Sequence, residues 1–69
     1  MNGQEMIEEW IAAEFNLLEV TIESDSAFPF GKRILDTNGD FMIVFFNEKT
    51  QRIMCTFKGA EQFQFPVFQ

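Results

Sequence analysis

The chain has no histidine, no tyrosine, one cysteine, two prolines and five basic residues among its 69. Each scarcity closes off a class of function. Without histidine the commonest general base and the commonest transition-metal ligand are missing. The Ser–His and Cys–His nucleophile systems go with them. One cysteine, Cys55, and no histidine cannot supply the ligands of a structural zinc site within one chain. Nor can Cys55 form an intramolecular disulfide, and small secreted domains usually carry several. Neither GxxxxGK[ST] nor GxGxxG occurs, so no standard phosphate-cradling loop is expected. Apolar runs are short, too short for a membrane span. Met1-Asn2-Gly3-Gln4-Glu5 is not the basic-then-apolar opening of a secretory signal. The expectation is a cytoplasmic protein that is not an enzyme, with no cofactor, no metal and no membrane partner.

Scarcity of positive charge excludes more. Five Lys and Arg stand against 11 Asp and Glu, a net charge of −6. Gripping a nucleic-acid backbone requires clustered cations. Here Lys32 and Arg33 adjoin, while Lys49, Arg52 and Lys58 are dispersed. Direct nucleic-acid binding and attachment to anionic membrane are both disfavoured. The acidity keeps the chain in solution and steers it toward basic partners.

What is abundant is phenylalanine, ten residues against a single Trp10. Phe brings large apolar area without a polar handle. That suits a chain so short that folding buries only about 60% of its unfolded surface. An apolar content of 46% is ordinary for a globular domain, and the length allows one domain, residues 1–69.

Residues 4 to 17 read as an amphipathic helix. Met6, Ile7, Trp10, Ile11, Leu17 and Leu18 fall on one arc at helical spacing, with Phe15 at its edge. Glu5, Glu8 and Glu9 fill the other face and sit where carboxylates offset the positive end of the helix dipole. Asn2 is placed to cap the helix. Glu14 breaks the pattern within the apolar arc. It marks a fraying helix end, a sheet too narrow to cover it, or a functional carboxylate at the edge of the helix–sheet seam.

From Leu18 to Glu23 the period becomes two, with Leu18, Val20 and Ile22 alternating with Glu19, Thr21 and Glu23, the signature of a half-buried strand with an acidic outer face. Ser24 to Gly31 is a loop whose Phe28 and Phe30 either tuck onto the core or form a contact patch. Asn38-Gly39 between two apolar runs predicts a hairpin with a two-residue type I′ turn. Its second strand, Phe41 to Phe46, is apolar on both faces and should be central. Asn47 to Thr50 connects to a strand over 51–57, with Ile53 and Cys55 facing the core opposite Val44 and Met42. In the tail, Phe63, Phe65 and Phe68 surround Pro66, which rules out a central strand there. The fold predicted is α+β: one N-terminal helix packed on an antiparallel sheet of about four strands, α-β-β-β-β.

Asp36-Thr37-Asn38-Gly39-Asp40 resembles the start of a calcium loop, but the sixth position is Phe41 and the twelfth Asn47, where the loop needs glycine and glutamate. It reads as a turn. No pair of carboxylates is marked out for hydrolytic chemistry. Surfaces remain. Glu5, Glu8, Glu9, Glu19 and Glu23 lie within the first 25 residues, which hold no Lys or Arg. If the helix and first strand are neighbours they form one negative surface. This predicts a small acidic protein that binds another protein with a basic surface. It would act as an adaptor, or as an inhibitor that imitates the charge of DNA against a nuclease or nucleic-acid-binding complex. The bland alternative for these residues is a solvated face. The alternative function is a self-associating structural or accessory subunit, a homodimer joined through exposed Phe residues in the Ser24–Gly31 loop and in the tail, Phe63, Phe65 and Phe68 among them.

Overall fold

A computed structural model describes residues 2–67. One helix, α1 (Gly3–Glu14), precedes five strands: β1 (Thr21–Asp25), β2 (Gly31–Leu35), β3 (Phe41–Asn47), β4 (Arg52–Phe57) and β5 (Phe65–Pro66). The strands form one antiparallel meander in the order β1-β2-β3-β4-β5. The α+β layout read from the sequence is present, with a fifth strand beyond the four expected. β5 is two residues long and contains Pro66, and it lies at the sheet edge, where a missing N–H is tolerated.

Asn2 caps α1: its side-chain oxygen accepts from the Glu5 N–H at 2.8 Å. The helix ends at Glu14, three residues before the expected end. Phe15 is already extended, and the Asn16 side chain accepts from Leu18 N–H at 3.0 Å, closing a turn in place of another helical turn. Two expectations fail here. Leu17 and Leu18 do not join the apolar arc, and Leu18 does not begin the first strand. Both lie in the turn, with Leu18 96% exposed. Glu14, the last helical residue, is likewise exposed, as a helix end allows.

The helix packs on β3 and β4. Ile7 and Ile11 enter a core with Ile34, Val44, Phe46, Ile53 and Cys55, with Met6, Trp10, Phe15, Val20, Met42 and Val67 packed around them. Truncating a fully buried residue such as Ile7 to Ala costs on the order of 2–5 kcal/mol, a large share of a small domain's stability. β3 is central, and Ile43 to Phe46 are buried in succession, as its two-sided apolar pattern requires.

Both hairpins differ in detail from expectation. Between β2 and β3, Asp36 N–H donates to the Asp40 carbonyl at 3.0 Å, so the loop is the three residues Thr37, Asn38 and Gly39. Only Gly39, at φ 85°, has positive φ; Asn38 does not, which excludes a type I′ turn. The Asp36 carboxylate decides this by accepting from Asn38 N–H at 2.8 Å and Asp40 N–H at 3.1 Å. The β3–β4 loop sits one residue further along than expected, over 48–51, with Gln51 at φ 58°. Val44 therefore pairs with Cys55 and Phe46 with Ile53. The shift in pairing is two residues, which leaves Ile53 and Cys55 on the core face.

The sheet's other face carries Phe41, Ile43, Phe45, Met54 and Thr56 by register. Among the described residues no helix lies over it. The loop before β2 closes it in part: Phe28 stacks on Phe45, and Phe46 N–H donates to the Pro29 carbonyl at 3.0 Å, tying the loop to β3. Of the two loop phenylalanines, Phe28 tucks in while Phe30 stays 44% exposed.

Candidate protein-binding surface

The carboxylates singled out in the sequence are all exposed, but they occupy three places. Glu5, Glu8 and Glu9 are on the solvent side of α1, within a helix that contains no basic residue. Glu5 and Glu9 are four residues apart and Glu5 and Glu8 three, so they are neighbours on the helix surface. Like charges at these spacings oppose one another by roughly 0.2–0.5 kcal/mol per pair. Gln4 donates to Glu8 at 3.1 Å. Glu19 lies in the turn before β1.

Glu23 is on the far side. Ile22 pairs with Ile34, which is in the core beneath α1, so Glu23, one residue on, faces away from the helix. The helix and first strand thus do not merge Glu23 with the helix stripe into one continuous face. The expectation of a single surface assumed that a short connection brings two elements side by side. Instead α1 crosses to β3 and β4, and β1 is left at the sheet edge.

The five cations lie in the sheet and its loops, from Lys32 onward. Arg33 forms the one ion pair among the described residues, to Asp25 at 3.1 Å, and stacks over Phe41 at 4.9 Å. Lys58 donates to the Gly39 carbonyl at 2.9 Å. Among the described residues no cation forms an ion pair with the helix carboxylates.

The tail contributes an aromatic patch. Phe65 in β5 lies 5.9 Å from Phe57 in β4, and Phe63 is 57% exposed. Phe57 and Phe65 are each nearly half exposed. Phe57 shares a strand face with Ile53 and Cys55 but is not part of the buried core. Phe68 lies outside the described residues.

Among the described residues no three Cys, Asp or Glu side chains converge to hold a metal ion. Burial raises the Cys55 thiol above its ordinary value, away from the thiolate that reacts. Two shallow depressions, of 240 and 210 Å³, mark the surface: Ser24, Asp25, Ser26 and Lys32 line the first, where Lys32 donates to Ser24 at 3.2 Å, and Asp36 and Asp40 lie among apolar residues in the second. Among the described residues no helix is long and apolar enough to cross a membrane. The chain matches no protein-family model, no curated protein and no solved structure.

Proposed function

We propose that the protein acts without chemistry of its own, by binding another protein that presents a basic surface. The observation that carries this reading is the outer face of α1. Glu5, Glu8 and Glu9 are exposed together on a helix free of cations, and they repel one another in the unbound domain. A cationic partner relieves that repulsion as it binds. The same surface steers association, because a field of one sign raises the encounter rate with a partner of the other. An inhibitor that fills the basic groove of a nuclease or nucleic-acid-binding complex is the function this surface suits best.

The test is capture from native lysate at low ionic strength, followed by elution in steps of salt. A specific partner with a basic surface that leaves as salt rises supports the reading. A partner retained through molar salt points to an apolar interface instead.

A second reading is favoured by one specific feature, the exposure of the adjacent rings Phe57 and Phe65 together with that of Phe63. Clustered apolar area of this kind is commonly covered in an assembly. On this reading the protein is a homodimer or accessory subunit joined through β4, β5 and the tail, and sedimentation of the purified chain distinguishes it.

A further inference from the structure

β1 is an outer strand whose ladder partner, among the described residues, is β2 alone, and Thr21, Ile22, Glu23 and Ser24 are all exposed. An outer strand leaves a row of backbone N–H and C=O groups unpaired, a template on which another strand can add. The opposite edge is a poor template, since β5 is two residues long and Pro66 has no N–H to donate.

Side chains decide what can add to β1. Glu23 stands directly across from Arg33, yet the Arg33 guanidinium reaches past it to Asp25 and lies over Phe41. Glu23 therefore has no ion-pair partner among the described residues. Lys32, on the opposite face of the sheet, donates to Ser24 at 3.2 Å and does not neutralise it. On the α1 side, Ile22 remains 38% exposed. The edge thus offers a bare carboxylate on one face and an aliphatic side chain on the other.

A second copy of this chain is a poor occupant. Glu19 to Asp25 contains three carboxylates and no cation, so antiparallel self-pairing sets like charges against each other. An extended segment of opposite sign meets the reverse situation. We propose that the β1 edge is a strand-addition site for an extended basic segment of a partner protein, with Lys or Arg alternating with aliphatic residues. The basic positions lie beside Glu23 and an aliphatic position beside Ile22, while the two backbones exchange ladder hydrogen bonds. This rests on the reading of a basic partner above, and adds where and in what conformation part of that partner is held.

The probe is a short capped peptide alternating lysine with valine, added to the full chain at low salt and followed by the amide resonances of the protein. The expected result is a set of shifts centred on residues 21–25 and slowed hydrogen exchange at that edge. Glu23→Lys weakens the binding by roughly tenfold, because it places like charges together. The decisive comparison uses two versions of the peptide, N-methylated at one or the other alternate set of amides. An added outer strand turns only one set of its N–H groups toward its neighbour. One version must therefore lose binding and the other keep it. Equal binding by both versions overturns the proposal, and so does no binding at millimolar peptide. Shifts confined to residues around Glu5, Glu8 and Glu9 overturn it while leaving the helix reading intact. Shifts at 21–25 that persist in the Glu5→Gln, Glu8→Gln, Glu9→Gln variant uphold it whatever becomes of the helix.

Discussion

Phe28 stacks on Phe45 with ring centroids 4.6 Å apart and planes 26° from parallel. This contact joins a loop to the central strand on the face that α1 leaves open. Phe45 is buried although no helix lies over it, and Phe28 is part of the reason. Phe28→Ala is expected to cost about 2 kcal/mol, less than the loss at a fully buried Phe because Phe28 is only half-buried. In a domain of this size the melting temperature should fall by about 10 °C. Thermal unfolding followed by circular dichroism measures it, and an unchanged midpoint would mean the loop does not pack there.

Gly39 is the one residue of the β2–β3 loop with positive φ, and a side chain added there would meet no atom within 4 Å. The cost of substitution is therefore conformational alone. Gly39→Val is expected to destabilise by about 1–3 kcal/mol, and Gly39→Asn by less, since Asn tolerates left-handed backbone. Equal melting temperatures for the two variants would contradict the turn geometry.

Residues 65–67 of the tail are built into the fold. Val67 packs against the core and its N–H donates to the Ile53 carbonyl at 3.1 Å, while Phe65 pairs with Cys55. Deleting residues 62–69 removes β5, uncovers that part of β4 and should lower the melting temperature. Light scattering on the same sample reads the second outcome, a change in association through the uncovered strand. Indifference in both would mean that the tail is not part of the domain.

Cys55 sets a pH dependence. Burial raises its thiol, so as pH climbs through the ordinary thiol value of 9.0 the unfolded chain ionises first. The unfolded state then binds fewer protons than the folded one, and stability falls with rising pH. This contribution is fully present below that value and is lost as pH rises through the folded pKa. Denaturant midpoints of the wild type from pH 7 to 10 should fall more steeply than those of Cys55→Ala. A disulfide-exchange reagent should label Cys55 slowly in the native protein and quickly once it is unfolded.

Much of the fold can be read in the residues because several local signals agree. Asn2 before Glu5 marks a helix start, Asn38-Gly39 marks a reversal, and Ile43 to Phe46 mark a central strand. The details that differ are those in which one side chain chooses between near-equal local structures. Asp36 lengthens the first hairpin loop by binding two backbone N–H groups, and no propensity counts that in advance. Gln51 takes left-handed backbone without being a residue that advertises it. Leu17 and Leu18 look like helix or strand because apolar residues are assumed to be buried, yet Asn16 turns the chain and leaves them in water. The candidate surface is legible only in part for a related reason. Exposure of Glu5, Glu8 and Glu9 follows from helical spacing alone. The separation of Glu23 depends on which strands the helix crosses, a tertiary choice the pattern does not encode.

The most direct measurement of the central claim is the association rate with the captured partner across a salt series, for the wild type and for the variant carrying Glu5→Gln, Glu8→Gln and Glu9→Gln. Gln keeps helix propensity and removes the mutual repulsion, while some dipole stabilisation at Glu5 is lost, so the fold should survive with its melting temperature little changed. The wild-type rate should fall steeply as salt screens the surface, and the variant should start lower and respond less. Identical association kinetics for the two proteins at every salt concentration would contradict the account and leave the helix stripe as a solvated face.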